Sequence, residues 1–90
     1  MNWSQIRQAY PDQWLVIEAM EAHNVNNQRQ LDRIAVIETC PDGKGAFQSY
    51  QRLHEAHPFR ELYFVHTARD TLDIRERHWV GIRGHHATYA

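Results

Sequence analysis

Two apolar segments with a period of two, separated by a short polar stretch, constrain the fold of this chain most strongly. Residues 14 to 23 and 31 to 39 alternate as β-strands do, and both contain Val or Ile together with Leu. The stretch NVNNQRQ between them, residues 24 to 30, is rich in asparagine, which tolerates the left-handed backbone of tight turns. The sequence therefore predicts a β-hairpin.

Both faces of this hairpin are apolar near the middle of the strands, so both faces need cover. The alternation assigns to one face Trp14, Val16, Met20, Ile34 and Val36. It assigns to the other face Leu15, Ile17, Ala35 and Ile37. The chain offers one main helix for one face and only the short segment from Trp3 to Tyr10 for the other. We therefore expect a homodimer that covers the remaining face or edge of the sheet with a second copy.

The remaining periodicities place one long helix and two more strands after the hairpin. A helical apolar period runs from 44 to 57, and β-branched and aromatic residues mark strands at 61 to 67 and 78 to 83. A short helix, capped by Ser4 and with Ile6, Ala9 and Tyr10 on one stripe, precedes the hairpin. The sequence predicts an α+β fold with a four-stranded mixed sheet, in which a right-handed crossover helix joins two β-hairpins.

We expect a single domain over residues 1 to 84, because ninety residues support one small core. Residues 85 to 90 show no apolar period and are predicted to be a flexible tail. In the last strand Trp79 shares a face with Gly81, so we expect the indole to cover the gap beside the glycine and to be largely buried.

The segment CPDGKGAF, residues 40 to 47, carries a lysine between two glycines and raises the question of a phosphate-binding loop. A nucleotide-hydrolase loop needs the spacing GxxxxGK followed by Ser or Thr, and a dinucleotide fingerprint needs a third glycine. Neither pattern is present. The segment is predicted to be a turn in which Asp42 caps the following helix.

Charge and composition argue against several classes of partner. Ten Lys and Arg residues against eleven Asp and Glu residues give a formal net charge of -1, so no global positive field attracts nucleic acid. The sequence shows neither a secretory signal pattern nor an apolar run that would span a membrane. We expect a cytoplasmic protein without a nucleic-acid or membrane partner.

Seven histidines among ninety residues make a metal site worth testing. His54 and His57, in the segment HEAHP, resemble the zinc-protease helix pattern but stand one residue closer together than that motif requires. The competing interpretation places both along the edge of the buried helix stripe, with His57 at the C-terminal end where a positive charge is favourable. We predict His54 and His57 as the candidate metal ligands.

His66 and Cys40 are the candidate ligand-binding residues. His66 alternates with Leu62 and Phe64 on the apolar face of the third strand, where a neutral, hydrogen-bonded imidazole is common. Cys40 stands just before a helix start, where a thiol pKa is lowered, and His66 on a neighbouring strand is in position to pair with it. The competing interpretation of Cys40 is a buried, inert thiol. No residue is predicted to be catalytic, and no cofactor is predicted.

Three glutamates on the hairpin strands form the last constellation with chemical potential. Glu18, Glu21 and Glu38 would provide paired carboxylates for acid–base chemistry if they converged on one sheet face. The competing interpretation is that each marks an exposed strand position.

Three short motifs resemble a group of short, uncharacterised bacterial proteins: YPDQW at residues 10 to 14, YFVHT at 63 to 67 and WVGIR at 79 to 83. The similarity covers most of the chain, from about Tyr10 to Arg83. The resemblance implies a small bacterial protein of unknown function and assigns no residue a role.

The sequence supports two functions from different classes. The leading hypothesis is a non-enzymatic module that works through protein contacts or self-association. The alternative is a small-ligand or metal-binding domain, with or without enzymatic activity, that uses His54, His57 or His66.

Overall fold

Two long antiparallel strands form the centre of the fold, joined by a turn of two asparagines. The computed structural model describes residues 1–72 and 74, and in it Asn26 and Asn27 have φ angles of 51° and 64°. Two consecutive left-handed residues are characteristic of a type I′ hairpin turn. The turn connects β1 (Trp14–Val25) to β2 (Gln28–Cys40). The predicted hairpin is confirmed, with a shorter turn and longer strands than the alternation indicated.

A bulge in the hairpin changes which side chains share a face. The pairing shifts between Val16 and Ile17, so that Ile17 lies opposite Val36 while Ile37 is displaced onto the face of Val16. Without this bulge, regular alternation would place Val36 on the same face as Cys40 and Val16. A shift of one residue moves every following side chain to the other face of the sheet.

The predicted faces are therefore correct for residues 14 to 17 of β1 and wrong for β2. Ile34 and Val36 pack with Leu15 and Ile17 rather than with Val16. The bulge is the physical reason, because alternation within one strand does not reveal its register relative to the other.

A third strand, β3 (Leu62–His66), pairs antiparallel with the first half of β1, so the strand order is β2-β1-β3. A mixed sheet needs parallel neighbours, and all pairs among the three described strands are antiparallel. The predicted mixed sheet is thus not found in this part of the chain. The hand of the connection from β2 to β3 stays a prediction. The predicted fourth strand at 78 to 83, Trp79 with Gly81, the domain boundary at 84 and the tail at 85 to 90 lie outside the described residues.

The main helix, α2 (Gly43–Ala56), covers one face of the sheet. It begins as predicted, because the Asp42 side chain accepts a hydrogen bond from the Gly45 N–H at 2.7 Å. Its buried residues Ala46 and Tyr50 form the core on this face of the sheet together with Val16, Leu62 and Phe64. The stretch between Cys40 and Phe47 is therefore a turn and a helix start.

Gly43 has a packing role at the first position of α2. A Cβ atom placed there would lie 3.0 Å from Cζ2 of Trp14. The indole lies against the helix backbone at this point, and a larger residue would require the indole to move by a few tenths of an ångström.

The opposite face is covered by α1 (Trp3–Ala9) and by the segment that contains Leu72 and Ile74. The sequence predicted Ser4 as the cap of α1, but the cap is Asn2. The Asn2 side chain accepts a hydrogen bond from the Gln5 N–H at 2.8 Å, and the Gln5 side chain accepts one from the Asn2 N–H. The side chain of Ile6 is fully buried between α1 and the sheet.

This cover removes the argument from which a homodimer was predicted. Leu15 and Ile17 are 0% exposed within one copy of the chain, and Ile34 is 2% exposed. The short helix and the segment that contains Ile74 together close this face. A second copy is not needed to bury that face.

Hydrogen bonds from α1 to the turn after β3 hold the helix in place. The Arg7 Nε donates to the Thr67 carbonyl oxygen at 2.9 Å, and the Trp3 indole N–H donates to the Arg69 carbonyl oxygen at 3.0 Å. Thr67 is buried, and its hydroxyl accepts from the Gln13 N–H at 2.9 Å. The polar atoms at this junction are therefore satisfied.

Candidate functional site

The two predicted metal ligands do not form a ligand pair with a third partner. His54 stacks on Tyr50, with ring centroids 5.6 Å apart and an interplanar angle of 8°. His57 is exposed and ends α2, where its N–H donates to the Leu53 carbonyl oxygen at 2.8 Å. Within residues 1–72 and 74, no group of three or more His, Cys, Asp or Glu side chains is arranged to hold a metal ion. The metal prediction gains no support from this geometry.

His66 lies on the α2 face of β3, as the alternation predicted, and its ring makes three contacts. Nδ1 accepts a hydrogen bond from the Ala68 N–H at 3.0 Å, and Nε2 lies 3.5 Å from Oδ1 of Asp12. The ring also meets the edge of Trp14, with centroids 5.1 Å apart. Because the backbone engages Nδ1, this imidazole stabilises the turn after β3, which is a structural role.

Cys40 does not pair with His66. Both residues lie opposite Trp14, Cys40 on one side of β1 and His66 on the other. Their backbones are therefore two strand spacings apart, about 10 Å in total. Burial raises the pKa of the Cys40 thiol, although a hydrogen bond to Ser49 partly opposes this. A raised pKa disfavours the reactive thiolate. The predicted thiol–imidazole pair is therefore wrong, and the inert interpretation of Cys40 fits its surroundings.

The three hairpin glutamates are each engaged in an ion pair. Each binds its own arginine, in the pairs Glu18–Arg60, Glu21–Arg33 and Glu38–Arg52. Each of these carboxylates is thus neutralised by its own arginine, and the paired-carboxylate interpretation gains no support from the described residues. The hydroxyl of Tyr50 also stays protonated at neutral pH, because burial raises its pKa to about 12.

A polar network that sequence reasoning missed connects β2 to the start of β3. Arg29 donates from Nε and NH2 to the two carboxylate oxygens of Glu61, at 2.9 and 2.8 Å, and the Tyr63 hydroxyl donates to Glu61 at 2.6 Å. These hydrogen bonds, chiefly those from Arg29, lower the pKa of Glu61. The carboxylate is an anion at neutral pH, and both of its oxygens accept hydrogen bonds from these partners.

Arg60, the residue before Glu61, forms a second bidentate pair, with Glu18. Arg60 donates from Nε to Oε2 of Glu18 at 3.0 Å and from NH2 to the other carboxylate oxygen, which lowers the pKa of Glu18. The Glu18 side chain is 14% exposed, so the pair is largely shielded on the acidic side. Two adjacent residues, Arg60 and Glu61, are thus fixed to two different strands.

The loop that these pairs fix presents one aromatic side chain to solvent. Phe59 is 99% exposed, which exceeds every other large apolar residue in the described part of the chain. The sequence signal was the segment HPFRE, where an aromatic residue directly follows the proline that ends α2. We refer to residues 57 to 61 as the Phe59 loop.

A cleft of about 440 Å³ lies between α1, the start of β2 and residues 70 to 72. Its described lining is Trp3, Ser4, Gln28, Arg29, Gln30, Leu31, Asp70, Thr71 and Leu72. None of the four predicted site residues lines it. The surface of the cleft is mainly polar, and both of its charged side chains already have partners: Arg29 binds Glu61, and Asp70 pairs with Arg7.

Comparison of the chain with family models, with curated proteins and with solved structures finds no match. Among the described residues, neither helix has the length and apolar character of a membrane span. The geometry of the chain itself therefore carries the functional argument.

Proposed function

We propose that the chain is a small, non-enzymatic module that works through protein contacts, with self-association as the contact to test first. The observation that carries the proposal is the Phe59 loop. Phe59 is fully exposed, while the backbone beside it is held by two bidentate arginine–glutamate pairs. Exposed aromatic residues on fixed backbone are typical of contact residues in interfaces.

The pairing of the polar side chains supports the non-enzymatic part of the proposal. The carboxylates that sequence analysis considered for catalysis are each bound to an arginine, and the Cys40 thiol has a raised pKa. The group of bacterial proteins that the three motifs resemble supplies no activity. Cytoplasmic location and the homodimer remain parts of this proposal.

Sedimentation equilibrium of the complete chain at tens to hundreds of micromolar tests self-association. We expect an average mass that rises with concentration from 10.7 kDa towards twice that value. A mass that stays at 10.7 kDa throughout would overturn self-association.

A further inference from the structure

The ring of His66 holds the first residues after β3 in a turn. Its Nδ1 accepts a hydrogen bond from the Ala68 N–H at 3.0 Å, and the His66 carbonyl oxygen accepts one from the Arg69 N–H at 3.3 Å. We refer to residues 66 to 69 as the His66 turn. A neutral imidazole has one acceptor nitrogen, so an accepting Nδ1 places the ring proton on Nε2. The hydrogen bond thus assigns the tautomer of the neutral ring.

The surroundings of the ring offer a different partner to its protonated form. Nε2 lies 3.5 Å from Oδ1 of Asp12, in the connection between α1 and β1, and β1 itself presents the uncharged ring of Trp14. The main helix α2 reaches this indole at Gly43, which is followed in the chain by Lys44. In the described part of the chain, the Asp12 carboxylate is therefore the anion within ion-pair distance of the imidazole.

Uptake of a proton by the ring exchanges one partner for the other. The proton can bind only at Nδ1, because Nε2 already carries one, and Nδ1 then donates and no longer accepts. Two N–H donors would then face each other, so the hydrogen bond from Ala68 is lost. The positively charged ring is attracted instead by the carboxylate of Asp12.

The His66 turn also carries the attachments of α1. The Thr67 carbonyl oxygen accepts from the Arg7 Nε at 2.9 Å, and the Arg69 carbonyl oxygen accepts from the Trp3 indole N–H at 3.0 Å. Arg7 also pairs with Asp70, the residue after the turn, at 3.1 Å. A change in the turn therefore reaches the helix that covers one face of the sheet.

Thr67 sets the point at which such a change begins. Its N–H donates to the Gln13 carbonyl oxygen at 2.9 Å, and its hydroxyl accepts from the Gln13 N–H at 2.9 Å. Neither hydrogen bond uses the His66 ring, so the end of β3 stays attached whichever form the ring takes. The segment that responds to the ring starts after Thr67.

We propose that His66 is a pH-sensitive latch on the attachment of α1. The neutral ring closes the His66 turn through Ala68 and so fixes the carbonyl groups that α1 binds. The protonated ring turns to Asp12 and releases the Ala68 N–H. This device does not depend on self-association, and its test leaves that proposal untouched.

Nuclear magnetic resonance of the complete, unaltered chain tests the latch at the ring itself. At about pH 8 the nitrogen chemical shifts of the His66 ring should show a proton on Nε2 and none on Nδ1. As pH falls from about 8 to about 5, where histidine side chains titrate, the protection of the Ala68 amide against exchange with water should fall about fivefold, after correction for the intrinsic effect of pH, because one hydrogen bond is lost. A ring protonated on Nδ1 at pH 8, or protection that stays constant, would overturn the proposal.

The indole N–H of Trp3 tests the connection to α1, because its acceptor lies in the His66 turn. It should lose protection over the same pH range as the Ala68 amide. A Trp3 indole that keeps its protection while Ala68 loses it would overturn the coupling to α1.

His66→Asn provides the matched variant. An asparagine side chain accepts a hydrogen bond from the backbone N–H two residues further on and does not titrate, so both losses of protection should disappear. His23→Gln, which removes an exposed histidine of the hairpin, should leave both losses unchanged. Losses that persist in His66→Asn would assign the response to another group and overturn the latch. The ring measurement needs no variant, so it decides the proposal even if His66→Asn does not fold.

Discussion

The hairpin has two ends that are built differently from the same two strands. At the end flanked by β3, which we call the covered end, Leu15, Val16 and Ile17 are 0% exposed. Beyond β3 lies the ribbon, residues 20 to 33, where Met20 is 48% exposed and Val25 is 43% exposed. One continuous pair of strands therefore passes from a double-sided core into solvent.

Different interactions hold the two ends. The covered end buries apolar side chains against α1 and α2. The ribbon instead carries polar cross-strand pairs, with His23 2.6 Å from Asp32 and Glu21 3.4 Å from Arg33. Such exposed pairs contribute little stability individually, about 0–1 kcal/mol.

The difference shows what makes each end of the hairpin form. The covered end is stabilised by area removed from water, so it depends on side-chain volume. The ribbon depends on its turn and on the few contacts that attach it to the rest of the fold, notably Arg29. One of these is the Arg29 N–H, which donates to the Ile74 carbonyl oxygen at 2.8 Å. Substitutions at the two ends should therefore have unequal effects.

The largest expected effect is at the covered end. Ile17→Ala should lower the free energy of unfolding by about 2–5 kcal/mol, because a fully buried side chain leaves a cavity between α1 and the sheet. Val25→Ala in the ribbon should lower it by less than about 0.5 kcal/mol. Urea denaturation of both variants measures the contrast. Equal losses would mean that the ribbon also belongs to the cooperative core.

A smaller effect, dependent on pH, is expected at the contact that attaches the ribbon to β3. Glu61→Gln should lower the free energy of unfolding at pH 7 by about 1–2 kcal/mol, because Arg29 loses its charged partner. The folded chain holds the pKa of Glu61 below its ordinary value. As pH falls, the unfolded chain therefore binds the proton first, and the contribution of Glu61 is lost.

The pH window of this effect follows from that sign. The stabilisation from Glu61 is fully present above the ordinary glutamate pKa of about 4.3 and disappears as pH falls through the lower folded value. Denaturation midpoints from pH 7 to 3 should fall less steeply for Glu61→Gln than for the unaltered chain. Glu21→Gln in the ribbon, whose ion pair is exposed, serves as the control. A slope that Glu61→Gln leaves unchanged would contradict the assignment.

Local features of the fold were predictable from the sequence, because neighbouring residues determine them. The hairpin follows from two alternating segments with asparagines between them, and the start of α2 follows from Asp42 before a helical period. The register of β2 was not predictable, because a bulge at Ile37 leaves no mark in the alternation. The position of β3 beside β1 depends on contacts between distant segments, which composition does not encode.

The Phe59 loop and the pairs that hold it were harder to predict than the fold. Arg29 and Glu61 are 32 residues apart, and a sequence shows two charges without showing that they meet. Phe59 reads as one more apolar residue until its exposure is known. The predicted histidines illustrate the converse, because His66 has the expected strand face while its Nδ1 is engaged by the backbone.

The smallest expected effect is at the turn that closes the ribbon. Asn27 has a φ angle of 64°, a left-handed conformation that costs most residues roughly 1–2 kcal/mol and asparagine less. Asn27→Ala should therefore lower the free energy of unfolding by about 1 kcal/mol, while Asn27→Gly should preserve or slightly raise it, because Asn-Gly suits a type I′ turn. Amide hydrogen exchange locates the effect: residues 22 to 31 should exchange faster in Asn27→Ala, while β3 should keep its protection. Faster exchange in β3 as well would show that the turn supports the covered end, and that the two ends of the hairpin unfold as one unit.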